Sequence, residues 1–350
     1  MATYYVRQSG GSDGNSGLSF ALGWATVQYA LSNATSGGDI IVICSDGIHL
    51  PTATLTLSAY GQEYNPIIIT GGNATGVIDG TIPVISGASA PASSTLLSLN
   101  AAGNYRVENL RFTASTNDGV LLNSSINGGT FSLVNCRVDN SARHGIYVNE
   151  TYHQFRPMFV GCEIDNNTDR GIYPGTASGF GCCINCSIHD NGSIFGAIGC
   201  RNYAAGAQSH LIGCRIYNNT GSGLYVTSSS SGALHDVIIM NNVFFNNGSH
   251  GISLADYLDS YNVPLFNNIF RNNGGYGIAM SYAYLNIFRP CLNNCTSNNT
   301  SGAINQNGGV LPGSGNITLD PLFTSEVYGS ENFTLQSGSP CINAGYGYDG

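Results

Sequence analysis

Three sets of side chains in this 350-residue chain have the types and spacing to do chemistry. Asp139, Asp165 and His189 each follow an apolar residue (Val138, Ile164, Ile188) at intervals of about 26 residues, with Arg137 and Glu163 two places before the two aspartates. Carboxylates brought about 5 Å apart bind a cation, share a proton through a raised pKa, or splay into water. The first outcome makes Asp139, Glu163 and Asp165 a metal site, with calcium as the candidate ion. The second makes Asp139, Asp165, His189 and Arg137 a catalytic set. The plain alternative is that Asp-Asn steps such as these are ordinary turn residues.

A second set is aromatic. Tyr147, Tyr173 and Tyr225 each follow a Gly-apolar step, with Ile198 at the matching place between the last two. Aromatic rings on a flat sheet suit sugar rings, although Tyr also simply favours exposed strands. The third set, Asp118, His144 and Arg170, precedes three successive glycines; it reads as a small relay or, preferably, as a solvated ladder of compatible charges. His250 shares its register several repeats away.

These spacings arise from a repeat. The phrase N-L-R-F at Asn109–Phe112 returns as N-C-R-V at 135, G-C-E-I at 161, N-C-S-I at 185, G-C-R-I at 213, N-N-V-F at 241, N-N-I-F at 267 and N-N-C-T at 293. Each is followed by a polar turn and then by Gly119, Gly145, Gly171, Gly196, Gly223, Gly251, Gly277 or Gly302. A period of this size means stacked units, each covering the next. Within a unit Cys162 and Ile164 alternate with Glu163, and Ile146 and Val148 with Tyr147, which is the period of a strand. Short strands joined by Asn and Gly corners, with no helix between them, must pair with the next repeat and so form a coil of parallel strands.

One interior slot of the coil holds Leu110, then Cys136, Cys162, Cys186 and Cys214, then Asn242, Asn268 and Asn294. The thiols read as small buried apolar packing, since no C-x₂-C partner pair accompanies Cys182, Cys183 and Cys186 to make a zinc site. Stacked Asn can hydrogen-bond side chain to side chain along the axis.

The composition is 42% hydrophobic and 9% charged, which is too apolar for a disordered chain. All eleven basic residues are Arg, against twenty acids, for a net charge of −9. No basic stripe exists to displace counterions, so nucleic acid is not an expected partner. Without Lys, any base would have to be Arg, His, Tyr or a carboxylate. No apolar run is long enough for a membrane span, and Ala-Thr-Tyr-Tyr-Val after Met1 does not resemble a secretory leader. Triplets such as Asn73-Ala-Thr and Asn149-Glu-Thr follow from an Asn-, Ser- and Thr-rich composition.

The N-C-x-I, N-N and G-I-Y phrases resemble the right-handed parallel β-helix superfamily, from about Gly38 to about Leu311, which includes pectate-lyase-like enzymes and bacteriophage tailspikes. The resemblance implies an all-β solenoid over 39–312, a cap over 1–38 and a closing segment over 313–350. Residues Trp24 to Ala34 are expected to form the capping helix, with Val27, Ala30 and Leu31 on its inner face. In the β-helix lyases, acids hold calcium against a uronate carboxylate while a base removes the C5 proton; here Arg137 or His189 would have to be that base. The set of acids is sparse and Lys is absent. The expected role is therefore non-catalytic: a structural or glycan-contacting protein of a virion appendage or extracellular surface, with a polysaccharide or cell-surface glycan as partner and a homo-oligomer or fibre as assembly. The alternatives are a polysaccharide lyase or depolymerase and a secreted fibre or adhesin.

Overall fold

The computed structural model describes residues 1–59, 65–100, 103–124, 129–150, 157–175, 180–202, 208–228, 235–255, 261–281, 290–305 and 309–345. The chain is an all-β parallel solenoid whose strands fall into three sheets, with a helix near the N-terminus. It divides into two compact units, Met1–Cys182 and Cys183–Gly350.

In the first unit, one sheet runs through Thr3–Val6, Ile40–Cys44, Ile67–Gly72, Tyr105–Glu108, Phe131–Val134 and Met158–Val160. A second contains Val84–Ser86, Arg111–Thr113, Arg137–Asp139 and Glu163–Asp165, and a third Leu55–Leu57, Leu97–Leu99, Val120–Ser124, Ile146–Glu150 and Ile172–Pro174. Neighbouring strands in all three sheets are parallel and in register, as Arg137↔Glu163 and Tyr147↔Tyr173 show. Phe112, Val138, Ile164, Phe131 and Phe159 are fully buried between the sheets, so alternation along each short strand places the core.

The helix spans Val27–Asn33, and the Thr26 hydroxyl caps it by accepting the Tyr29 N–H. Val27, Ala30 and Leu31 are its buried face, as the sequence spacing requires. Its Gln28 carboxamide oxygen accepts the Thr56 N–H at 2.8 Å, so the helix satisfies a donor of the sheet-edge strand Leu55–Leu57. The segment before it is not separate from the coil, because Thr3–Val6 pairs in parallel with Ile40–Cys44.

The second unit repeats the plan. Its second sheet holds Ser187–His189, Arg215–Tyr217, Val243–Phe245, Ile269–Arg271 and Cys295–Ser297, and its third Gly196–Asn202, Ser222–Ser228, Ile252–Leu254, Tyr276–Met280 and Gly302–Ile304. Two of the repeat glycines are displaced by one residue from the column that the sequence suggested. Gly196 pairs with Ser222 and Gly302 with Tyr276, so Ala197 and Ala303 occupy the column itself. Its demand is for a small residue: at Gly145 a Cβ would stand 2.7 Å from the Gly171 oxygen and 2.9 Å from Ile164 Cγ2.

The interior thiols and amides behave as expected. Cys136, Cys162, Cys186 and Cys214 are buried thiols outside any disulfide, and burial pushes Cys136 up to about 12. Asn242 donates to Asn268 and Asn268 to Asn294, each at 3.0 Å, and Asn294 to Asn316 at 3.2 Å. A second buried amide column, absent from the sequence reading, runs Asn191, Asn219, Asn247, Asn273 and Asn299 at 2.8 to 3.1 Å. Asn at the outer corners, including Asn218, Asn241, Asn246, Asn267 and Asn272, adopts positive φ.

After Ile317 the chain folds back. Phe323–Ser325 and Asn332–Leu335 form an antiparallel hairpin whose Phe333 meets Tyr217 and Phe245 edge-on at 5.2 and 5.3 Å. Arg271 pairs with Asp320 at 2.8 Å and with Glu326, and Asn218 donates to Glu331 at 2.6 Å. The closing segment thus lies along the outer side of the second sheet of its own unit.

Candidate functional site

The Asp139–Asp165 set is present but not open. Both carboxylates are 0% exposed. Arg111 reaches Asp139 through Nε at 3.1 Å and Nη2 at 2.5 Å, and Arg137 Nε lies 3.1 Å from the same carboxylate. Arg137 also donates to Asp165 through Nε at 3.0 Å and Nη2 at 2.7 Å, with Glu163 at 3.8 Å. Guanidinium and carboxylate therefore alternate up this corner, each acid gripped in two-point fashion. Burial works to lower the Arg137 pKa, but the hydrogen bonds and charge of Asp165, with Glu163 and Asp139, outweigh it and push it up. Arg137 is fixed as a cation, not poised as a base. Arg111 was not picked out from the sequence, although Arg111 to Asp139 and Arg137 to Asp165 share the interval of 28 residues that betrays the ladder.

His189 belongs to the second unit. Its Nδ1 is 2.7 Å from Asp190 Oδ2 and its ring stacks on Tyr217 at 4.6 Å, while Tyr328 donates to the other Asp190 oxygen at 3.0 Å.

The more developed cluster is on the third sheet of the first unit and its preceding corner. Tyr147 and Tyr173 project from paired positions and stack on each other with ring centroids 5.3 Å apart and planes 29° apart. The Arg143 guanidinium lies 5.0 Å from the Tyr147 ring centre and that of Arg170 5.0 Å from Tyr173. His144 fills the space behind, 4.5 Å from the Tyr173 ring and 5.9 Å from Tyr147. The aromatic faces are thus engaged with one another and with cations.

Behind this face Asp118 is buried, gripped by both Nε (2.8 Å) and Nη2 of Arg143 and accepting the His144 N–H at 3.2 Å. Its partner Arg143 was not picked out from the sequence. Asp118 and His144, expected as part of a solvated ladder, are instead 1% and 5% exposed. Burial pushes His144 down to about 4, against the pull of Asp169 and Asp118. Asp169 stands 3.6 Å from Nδ1, a distance that would suit an imidazolium, but that carboxylate is half in water and does not offset the burial. Nδ1 also accepts the Arg170 N–H at 3.4 Å, which assigns the ring proton to Nε2. Burial, followed by the neighbouring Tyr173, raises the Tyr147 pKa, so no phenolate base is offered at neutral pH.

Tyr225 does not extend this pair. In the second unit it stands between Gly199 and Ser253, while Ile198, matched to it from the sequence, pairs with Leu224 and is buried. The aromatic row is therefore a pair, Tyr147 and Tyr173, with Tyr225 beside Phe195 at 5.9 Å in the other unit.

A sequence profile described as the right handed beta helix region matches residues 118–292, half of the chain. Among solved structures, pectate lyase Pel9A aligns with 99% of this chain and 92% of its own at 15% identity and a TM-score of 0.69. A rhamnogalacturonan lyase aligns with 93% of this chain and 91% of its own at 14% identity and a TM-score of 0.55. The GH136 lacto-N-biosidase of Eubacterium ramulus covers 91% and 68% at 12% identity and a TM-score of 0.52. Identities this low carry the fold alone. No curated protein sequence matches the chain.

Proposed function

Because the chain belongs to the right-handed β-helix family, we propose that it is a non-catalytic glycan-contacting solenoid that holds an acidic polysaccharide along the Tyr147–Tyr173 face. The carrying observation is the repeated pair on consecutive rungs: Arg143 over Tyr147 and Arg170 over Tyr173. The rung spacing of roughly 4.8 Å is about the length of one pyranose unit, so successive sugars can each meet a phenol edge and a cation. Guanidinium groups favour carboxylated or sulfated sugars over neutral ones. The non-catalytic part of the reading is supported by the enclosure of His144, whose pKa burial holds down at about 4, and by the upward shifts of Tyr147 and Arg137. On this reading the partner is a polysaccharide or cell-surface glycan met at a virion or extracellular surface.

The test is equilibrium binding of the full chain to polygalacturonate, alginate and a neutral glucan, with ultraviolet absorbance followed for unsaturated product. Binding to the acidic polymers, weakened by Tyr147→Ala with Tyr173→Ala and unaccompanied by product, is the expected result. Accumulating unsaturated product would replace this reading with a lyase. Equal binding of the double variant would remove the face from the proposal.

A further inference from the structure

We propose a second, separate ligand site in the second unit: a groove between the C-terminal hairpin and the second sheet that takes a small hydroxylated carboxylate, such as a single uronic acid residue. The groove has a volume of about 260 Å³ and is lined by Gly213, Arg215, Tyr217 and Asn241 on the solenoid side and by Glu331 and Phe333 of the hairpin. It does not involve the Tyr147–Tyr173 face and does not depend on the role given to that face.

The site originates in a broken column. Asn185, Gly213, Asn241, Asn267 and Asn293 occupy the same corner on successive rungs, all with positive φ. Where Asn follows Asn, the amide nitrogen can donate to the oxygen of the rung before, as Asn267 does to Asn241 at 3.0 Å and Asn135 to Asn109 at 2.7 Å, while Asn293 donates to the Ala344 carbonyl at 2.6 Å. Asn241 faces Gly213, which has no side chain to accept. Among the described residues its amide nitrogen donates to nothing, although its oxygen is engaged.

Beside it, Arg215 is exposed, and among the described residues its guanidinium makes no hydrogen bond or ion pair. By contrast Arg111, Arg137, Arg143 and Arg271 are all bound to carboxylates. Two unengaged donors, one charged, thus open on one groove with Tyr217 and Phe333 as an aromatic wall, their rings 5.2 Å apart.

A carboxylate satisfies the donor pair. A bare anion would also meet Glu331, which lines the groove and whose Oε1 accepts from Asn218 at 2.6 Å and from the Gly329 N–H at 3.1 Å. A ligand that carries hydroxyl groups opposite its carboxylate turns that charge into an acceptor, and ring C–H groups suit the aromatic wall. The chemistry therefore selects a sugar acid over both a simple carboxylate and a neutral sugar.

The experiment is titration of the full chain with galacturonate, acetate and galactose, read by calorimetry and by NMR. The expected result is saturable galacturonate binding, weaker acetate binding and no galactose binding, with affinity for galacturonate falling about tenfold or more in Arg215→Gln. Gly213→Asn supplies the missing acceptor at a position whose backbone Asn tolerates, and is expected to abolish binding with circular dichroism unchanged. Tyr147→Ala with Tyr173→Ala is expected to leave this binding intact, which separates failure here from failure of the polysaccharide face. Absence of saturable binding, equal affinity for galactose, or unchanged affinity in Arg215→Gln would overturn the proposal.

Discussion

Arg137 grips both oxygens of Asp165 at 3.0 and 2.7 Å, although 28 residues separate them in the chain. The contact makes the corner a structural ladder in which each rung neutralises the next. Removing one member leaves a buried charge without its two-point partner, and Arg137→Met is expected to cost ~2–3 kcal/mol, somewhat below the usual range for breaking a buried pair because the guanidinium is one-third exposed. Urea denaturation measures this; an unchanged midpoint would mean that the ladder contributes nothing.

His144 makes stability depend on pH. Its folded pKa of about 4 lies below the ordinary value of 6.5, so the unfolded chain binds the proton more readily between those values. The stabilisation from keeping the ring neutral is complete above pH 6.5, falls as the pH drops toward 4 and is absent below. The span is ~3 kcal/mol from the size of the shift. Comparing wild type with His144→Gln across that window isolates the effect: the difference in stability between them should shrink on acidification, and a difference independent of pH would count against a neutral buried imidazole.

Asn268 sits in mid-column, accepting from Asn242 and donating to Asn294 and to the Ile239 carbonyl at 2.9 Å. Asn268→Ala strands a donor above it and an acceptor below it, so a loss of ~2–4 kcal/mol is expected. Thermal unfolding reads it directly. Asn33→Ala, on the exposed side of the Val27–Asn33 helix, is the control and should cost under ~1 kcal/mol.

Ile164→Asp places a charge at a fully buried position between sheets, and is expected to prevent folding of the first unit. Tyr147→Ala removes a half-exposed ring and is expected to leave the fold intact at a cost of ~1 kcal/mol. Circular dichroism of the two variants side by side is decisive: a folded Ile164→Asp protein would contradict the inward assignment of that column.

The coil itself was legible in the sequence because its period is written in small residues and apolar alternation, as at Cys162 and Ile164. The side-chain environments were less so. Asp139 and Asp165 follow inward residues and so point away from the core, yet long Arg side chains from neighbouring rungs roof them over; alternation reports direction, not cover. The matching of Tyr225 with Ile198 failed because Ala197, not Gly196, stands in the glycine column, and a one-residue slip exchanges the two faces of a strand. The hairpin of Phe323 and Phe333 carries no period at all, since it is antiparallel and packs on the outside.

The column from Asn191 to Asn299 bears on how such a chain changes length over generations. Every amide in its middle offers the same donor and acceptor to the neighbour on either side, so a duplicated stretch of one whole turn arrives already wired into the stack. A gain or loss of a few residues inside a turn enjoys no such welcome, because it moves one amide out of line and leaves two others reaching for it.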